Sequence, residues 1–101
     1  MLVEMILTVM LHKPHYTTDY LSTQFDRLAT CESTHDAKAV SPDGKYLGAF
    51  QFDLTTWHSL GMMGSPTDYS YEVQKEAAED LQSKRGWSPW PVCSDQLNLG
   101  D

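Results

Sequence analysis

The sequence predicts a small, mostly α-helical domain with one minor extended element, a small α+β arrangement. Three observations carry that reading. Apolar side chains recur at helical spacing at Leu21, Phe25 and Leu28. Two later segments open on helix-capping residues, Asp53 and Ser70, and close on glycines, Gly61 and Gly86. One stretch alone, Tyr46-Leu47-Gly48-Ala49-Phe50-Gln51-Phe52, reads as extended. A length of 101 residues fits one domain.

Charge narrows the class. Fourteen acidic residues face seven basic ones, for a net charge of −7. No basic run or Lys/Arg stripe is present, so nucleic acid is not an expected partner. Three Trp, five Tyr and three Phe are enough to fill a core or to line a groove that stacks on sugars. The core is the default place for each of them.

Residues 1–11 are apolar apart from Glu4 and Thr8, too short a run to span a bilayer. No basic segment precedes the run and no small-residue cleavage site follows it. A docked helix, an edge strand and a remnant of a longer leader all fit. His12, His15, His35 and His58 stand in no metal-ligand pattern, so no metal is expected. The glycines are scattered and form no phosphate loop, so no cofactor is expected either.

The first helix is expected to start near Ser22-Thr23, where Thr23 and Asp26 have the spacing of a capping box. It ends on Cys31-Glu32-Ser33. Helix C-termini favour cations, so an acid at Glu32 is locally unfavourable and invites another reason for its presence. A solvated helix-end carboxylate is the plain alternative. Pro42-Asp43-Gly44 marks a turn within the loop of residues 34–45. Asp53 caps a short helix from Leu54 to about Leu60, and residues 62–68 form a second turn-rich connection. Ser70 caps the last helix, with Glu72 in its first turn and Lys84 and Arg85 in its last. Tyr71, Gln74, Ala78, Leu81 and Arg85 make one possible stripe along it, and Val73, Ala77 and Leu81 a more apolar one. Trp87-Ser88-Pro89-Trp90-Pro91-Val92-Cys93 is a stiff segment able to fold back over the helices. Residues 95–101 are polar and expected to fray. By count alone, Cys31 and Cys93 are either one disulfide or two buried thiols.

Three blocks together resemble one family. They are Phe25-Asp26-Arg27-Leu28-Ala29-Thr30-Cys31-Glu32-Ser33, Tyr46-Leu47-Gly48-Ala49-Phe50-Gln51-Phe52 with Thr55-Thr56-Trp57, and Gly86-Trp87-Ser88-Pro89-Trp90-Pro91-Val92-Cys93. In this order and spacing they are similar to the catalytic domain of resuscitation-promoting factors, a transglycosylase-like domain. The resemblance covers about residues 23–94. It leaves 1–22 as a lead-in and 95–101 as a tail.

The resemblance implies a lysozyme-like fold with a Cys31–Cys93 disulfide, acting on peptidoglycan glycan strands. It implies Glu32 as the catalytic acid and Gln51 and Thr56 as cleft residues. Tyr46 and Ser41 are taken as substrate-binding beside them, and Gln74 as a structural or cleft-supporting residue. The family usually follows Cys-Glu-Ser with two glycines, where this chain has Thr34-His35. The Ala39-Val40-Ser41 stretch with Gly44 is closer to soluble lytic transglycosylases.

The bond at stake joins N-acetylmuramic acid to N-acetylglucosamine. A two-carboxylate glycosidase needs a second acid at a set distance. Asp36, Asp43 and Asp53 are candidates, but each has a local turn or capping reading. A single glutamate suffices if it serves as acid and then as base on the sugar's own 6-hydroxyl, giving a 1,6-anhydro product. Lytic transglycosylase chemistry is therefore the favoured expectation. A muramidase-type hydrolase and a weak or inactive peptidoglycan-binding module are the alternatives. An interaction protein with free thiols is a third class. The expected state is a monomer with no membrane span, either secreted to the cell wall or part of a phage virion or lysis system.

Overall fold

The computed structural model describes residues 18–100. The apolar run 1–11 and the readings of His12 and His15 lie outside them. Helix α1 spans Thr18–Ser33. It starts earlier than expected, and residues 18–22 of the expected lead-in belong to it. Thr23 is no cap: its hydroxyl donates to the Asp19 carbonyl at 3.0 Å, within the helix. Asp26 instead takes the Tyr71 hydroxyl and the Lys75 ammonium. Asp19 in the first turn suits the helix dipole.

The expected extended run is a tight chain reversal. Leu47 and Phe52 exchange backbone hydrogen bonds at 2.9 and 3.0 Å, and Val40 bridges Leu47 on the other side. Gly48 and Gln51 turn the chain between them with φ of 84° and 53°. Helix α2 follows at Leu54–Ser59, with the Asp53 carboxylate accepting the Thr56 N–H at 2.7 Å. A 3-10 turn at Pro66–Asp68 is closed by a reciprocal Ser65–Asp68 capping box. Helix α3 is Tyr71–Arg85, capped by Ser70 and ended by Gly86 at φ 65°, as its sequence predicts.

Helix α4 is Pro91–Gln96. Residues 97–99 beyond it turn back onto the domain. Leu97 and Leu99 donate their N–H groups to Cys93 and Ser94 at 2.9 Å, and Leu99 packs against the core. The polar composition of this tail concealed one apolar anchor.

The core joins Phe25, Leu28 and Ala29 of α1 to Phe50 and Phe52 of the reversal, Trp57 of α2, Ala77, Ala78 and Leu81 of α3, and Trp90 and Cys93. Phe50 stacks on Tyr71 and meets Phe25 edge-on. The face of α3 that is buried holds Gln74, Ala77, Ala78 and Leu81, a blend of the two stripes the sequence allowed. No helix of the described residues is long and apolar enough to cross a membrane.

Candidate active site

Glu32 lies in the last turn of α1, and the backbone on both sides of it is held. Cys31 is bonded to Cys93, with Cα atoms 5.9 Å apart. Ser33 Oγ lies within hydrogen-bonding reach of the Ala49 carbonyl at 2.8 Å and accepts the Asp36 N–H at 2.9 Å. One clamp thus ties the residue before Glu32 to α4, and the other ties the residue after it to the 47–52 reversal. The Glu32 carboxyl makes no hydrogen bond or ion pair among the described residues. Burial pushes its pKa up to about 7. Desolvation penalises the ionised form, and no cation stands close enough to offset it.

The hollow around Glu32 has a volume of about 230 Å³ and is walled by Tyr46, Gln51, Pro89, Trp90, Pro91 and Val92. A second hollow of about 300 Å³ shares Tyr46, Gln51, Pro89, Trp90 and Pro91 with it, and adds Asp53, Thr56, Arg85 and Ser88. The two hollows are neighbours along that wall, and together they are called the cleft. Gln51 stands where the two meet. Its amide nitrogen donates to the Gly48 carbonyl at 3.0 Å, and its amide oxygen takes no partner among the described residues. Its left-handed backbone costs about 1–2 kcal/mol, a strain often found where a side chain is aimed for function.

Four of the five residues assigned to catalysis and binding therefore line this cleft: Glu32, Tyr46, Gln51 and Thr56. Ser41 does not. Its hydroxyl donates to Asp43 at 2.7 Å and accepts the Tyr46 N–H at 3.0 Å, so it supports the loop beneath Tyr46. The candidate second carboxylates are also accounted for locally. The Lys45 N–H and the Ser41 hydroxyl hold Asp43 below the usual carboxylate range. Asp36 accepts the Lys38 N–H, and Asp53 caps α2. Only Asp53 lines the cleft, and it belongs to the hollow that excludes Glu32.

The cleft wall formed by Pro89, Trp90, Pro91 and Val92 is absent from the sequence-based site. The signal was the stiff Trp-Pro segment itself, read there only as a strap. Trp90 braces it by donating its indole N–H to the Phe50 carbonyl at 3.0 Å. Gln74 supports the other side from beneath. It is fully buried. Its oxygen accepts the Ala49 N–H at 2.7 Å, while its nitrogen reaches the Pro66, Ala37 and Tyr69 carbonyls. One amide thus joins two loops to the reversal. A roomier hollow of about 520 Å³ between α1 and α4 includes Asp26 but not Glu32, and Asp26 is already paired with Lys75.

These features define a transglycosylase-like domain with a lysozyme-like, mostly helical fold. The family model described as "Transglycosylase-like domain" matches residues 20–93, and the chain belongs to that family. Among named relatives, it is similar to resuscitation-promoting factor Rpf of Micrococcus luteus, with 41% identity over 74% of this chain and 33% of that protein. Resuscitation-promoting factor RpfC of Mycobacterium tuberculosis is 36% identical over 77% of this chain and 55% of that protein. Rpf2 of Corynebacterium glutamicum is 33% identical over 74% of this chain and 21% of that protein. The chain thus spans between about a fifth and about half of the length of these relatives.

Proposed function

We propose that the domain cleaves the β-1,4 bond between N-acetylmuramic acid and N-acetylglucosamine of peptidoglycan, with Glu32 as its single catalytic acid. The supporting observation is a desolvated carboxyl with a pKa of about 7, set in a cleft beside the Gln51 amide oxygen, neither having a partner among the described residues. At neutral pH a large fraction of Glu32 is protonated and able to donate to the leaving oxygen. As the bond breaks, the carboxylate left behind draws a proton from the 6-hydroxyl of the same muramyl residue. That oxygen closes on the anomeric carbon and releases the 1,6-anhydro sugar. Gln51 and Thr56 orient the sugars along the cleft. Among the described residues no second carboxylate lines the Glu32 hollow, which favours this route over hydrolysis by a paired acid.

The setting we favour is the outer side of a bacterial cell, against its wall. The disulfide suits an oxidising compartment, and the named relatives are bacterial resuscitation-promoting factors. Digestion of purified peptidoglycan, read by mass spectrometry, tests the reaction. Anhydro-muropeptides from wild type, absent with Glu32→Gln, are expected. Reducing-end products would point to hydrolysis. Absence of any product from the folded, oxidised protein would overturn the reading and leave a glycan-binding module.

A further inference from the structure

Among the described residues the cleft carries one cation, Arg85, in the last turn of α3. It differs from the other cations of the described chain. Lys75 is bound to Asp26 and Ser22, and Lys84 to Asp80. Arg27 donates to Gln24, and Lys38 to the Thr67 carbonyl. Lys45 lies beside Asp43 and shares its field. The Arg85 guanidinium has no acceptor among the described residues. It lines the hollow that shares Tyr46, Gln51 and the Pro89-Trp90-Pro91 wall with the hollow of Glu32, together with Asp53, Thr56 and Ser88. An unpaired guanidinium in a groove of a chain with net charge −7 is a ready receptor for an anionic group. Its planar fork matches a carboxylate with two parallel hydrogen bonds. Sugars of the glycan strand offer neutral hydroxyls and amides there, whereas the peptide stems on the muramyl residues offer carboxylates.

We propose that Arg85 is a specificity-determining residue that binds a carboxylate of the peptide stem and selects strands with charged stems. The proposal rests on the glycan-cleaving function above. Soluble peptidoglycan chains with free stem carboxylates are compared with chains whose stem carboxylates have been converted to amides. Wild type is expected to favour the free acids by about tenfold in kcat/KM, with the preference in KM rather than kcat. Arg85→Gln should abolish the preference and Arg85→Lys should keep part of it, since the charge remains. Added salt should erode it. A wild type that cleaves both chains equally would overturn the proposal while leaving the cleavage reaction standing. Arg85→Gln retaining the preference, or Arg85→Lys losing it as fully as Arg85→Gln, would overturn it as well. A wild type that cleaves neither chain would overturn the underlying function.

Discussion

At the scale of single residues, a Glu32 pKa of about 7 acts in opposite directions on chemistry and on stability. The ordinary value of 4.5 applies to the unfolded chain. Between these two pH values the folded protein binds more protons than the unfolded one, so stability falls as pH rises. The penalty is absent below the lower value and complete above the upper one. Glu32→Gln removes it. The variant should match wild type at pH 4 and exceed it by about 1–2 kcal/mol at pH 8, the full linkage value being discounted because solvent reaches part of the carboxyl. Urea unfolding at the two pH values checks this. A difference that does not grow with pH would contradict it. Thr34 and His35 bear on stability through their backbone, with φ of 57° and 65°. They stand where the family resemblance leads one to expect glycines, so that departure marks a strained helix end. Thr34→Gly should stabilise the fold by about 0.5–1 kcal/mol in thermal melts, as relief of left-handed strain exceeds the added chain entropy.

At the scale of elements, Gln74 on α3 is what the 47–52 reversal rests on. Replacing it with Leu leaves the Ala49 N–H and the Pro66 carbonyl buried without partners, and should cost about 3 kcal/mol or more. Because the reversal carries Gln51, the same variant should lose kcat even where it remains folded. Gly48→Ala should act at the same joint: a Cβ there would lie 2.3 Å from the Gln74 amide oxygen, at a φ of 84°. A loss of at least about 2 kcal/mol in chemical denaturation is expected. A near-neutral Gly48→Ala would mean that the joint is not tight. The elements themselves were largely legible because their caps are local: Asp53, Ser70 and Gly86 each act within a few residues. The start of α1 was hidden because Thr23 and Asp26 imitate a capping box while bonding elsewhere. The reversal read as extended because its apolar content reports burial, not direction. Ser41 was misplaced because a loop hydroxyl has many local partners, and only the folded loop shows which ones it takes.

At the scale of the whole molecule, the Cys31–Cys93 bond closes a span of 62 residues that holds most of the core, with Phe25, Leu28 and Ala29 lying before it. On the chain-entropy model such a closure contributes about 4 kcal/mol. Reduction should lower Tm by roughly 15–30 °C and abolish activity in parallel, because it also frees the backbone beside Glu32. Activity that survives complete reduction would uncouple the crosslink from the site. The cleft wall was the least legible part of the sequence, since it forms only when the Trp87–Cys93 segment returns to α1 across the full chain length. Glu32 drew notice because an acid there opposes the helix dipole locally, and its assigned role came from the family resemblance; its isolation is a property of the assembled cleft. That isolation is the central claim, and the pH dependence of kcat/KM for glycan cleavage tests it most directly. A single desolvated acid predicts one descending limb near pH 7, with no ascending limb in the carboxylate range. A bell with an added ascending limb near pH 4, or a descending limb at an ordinary carboxylate pKa, would contradict it.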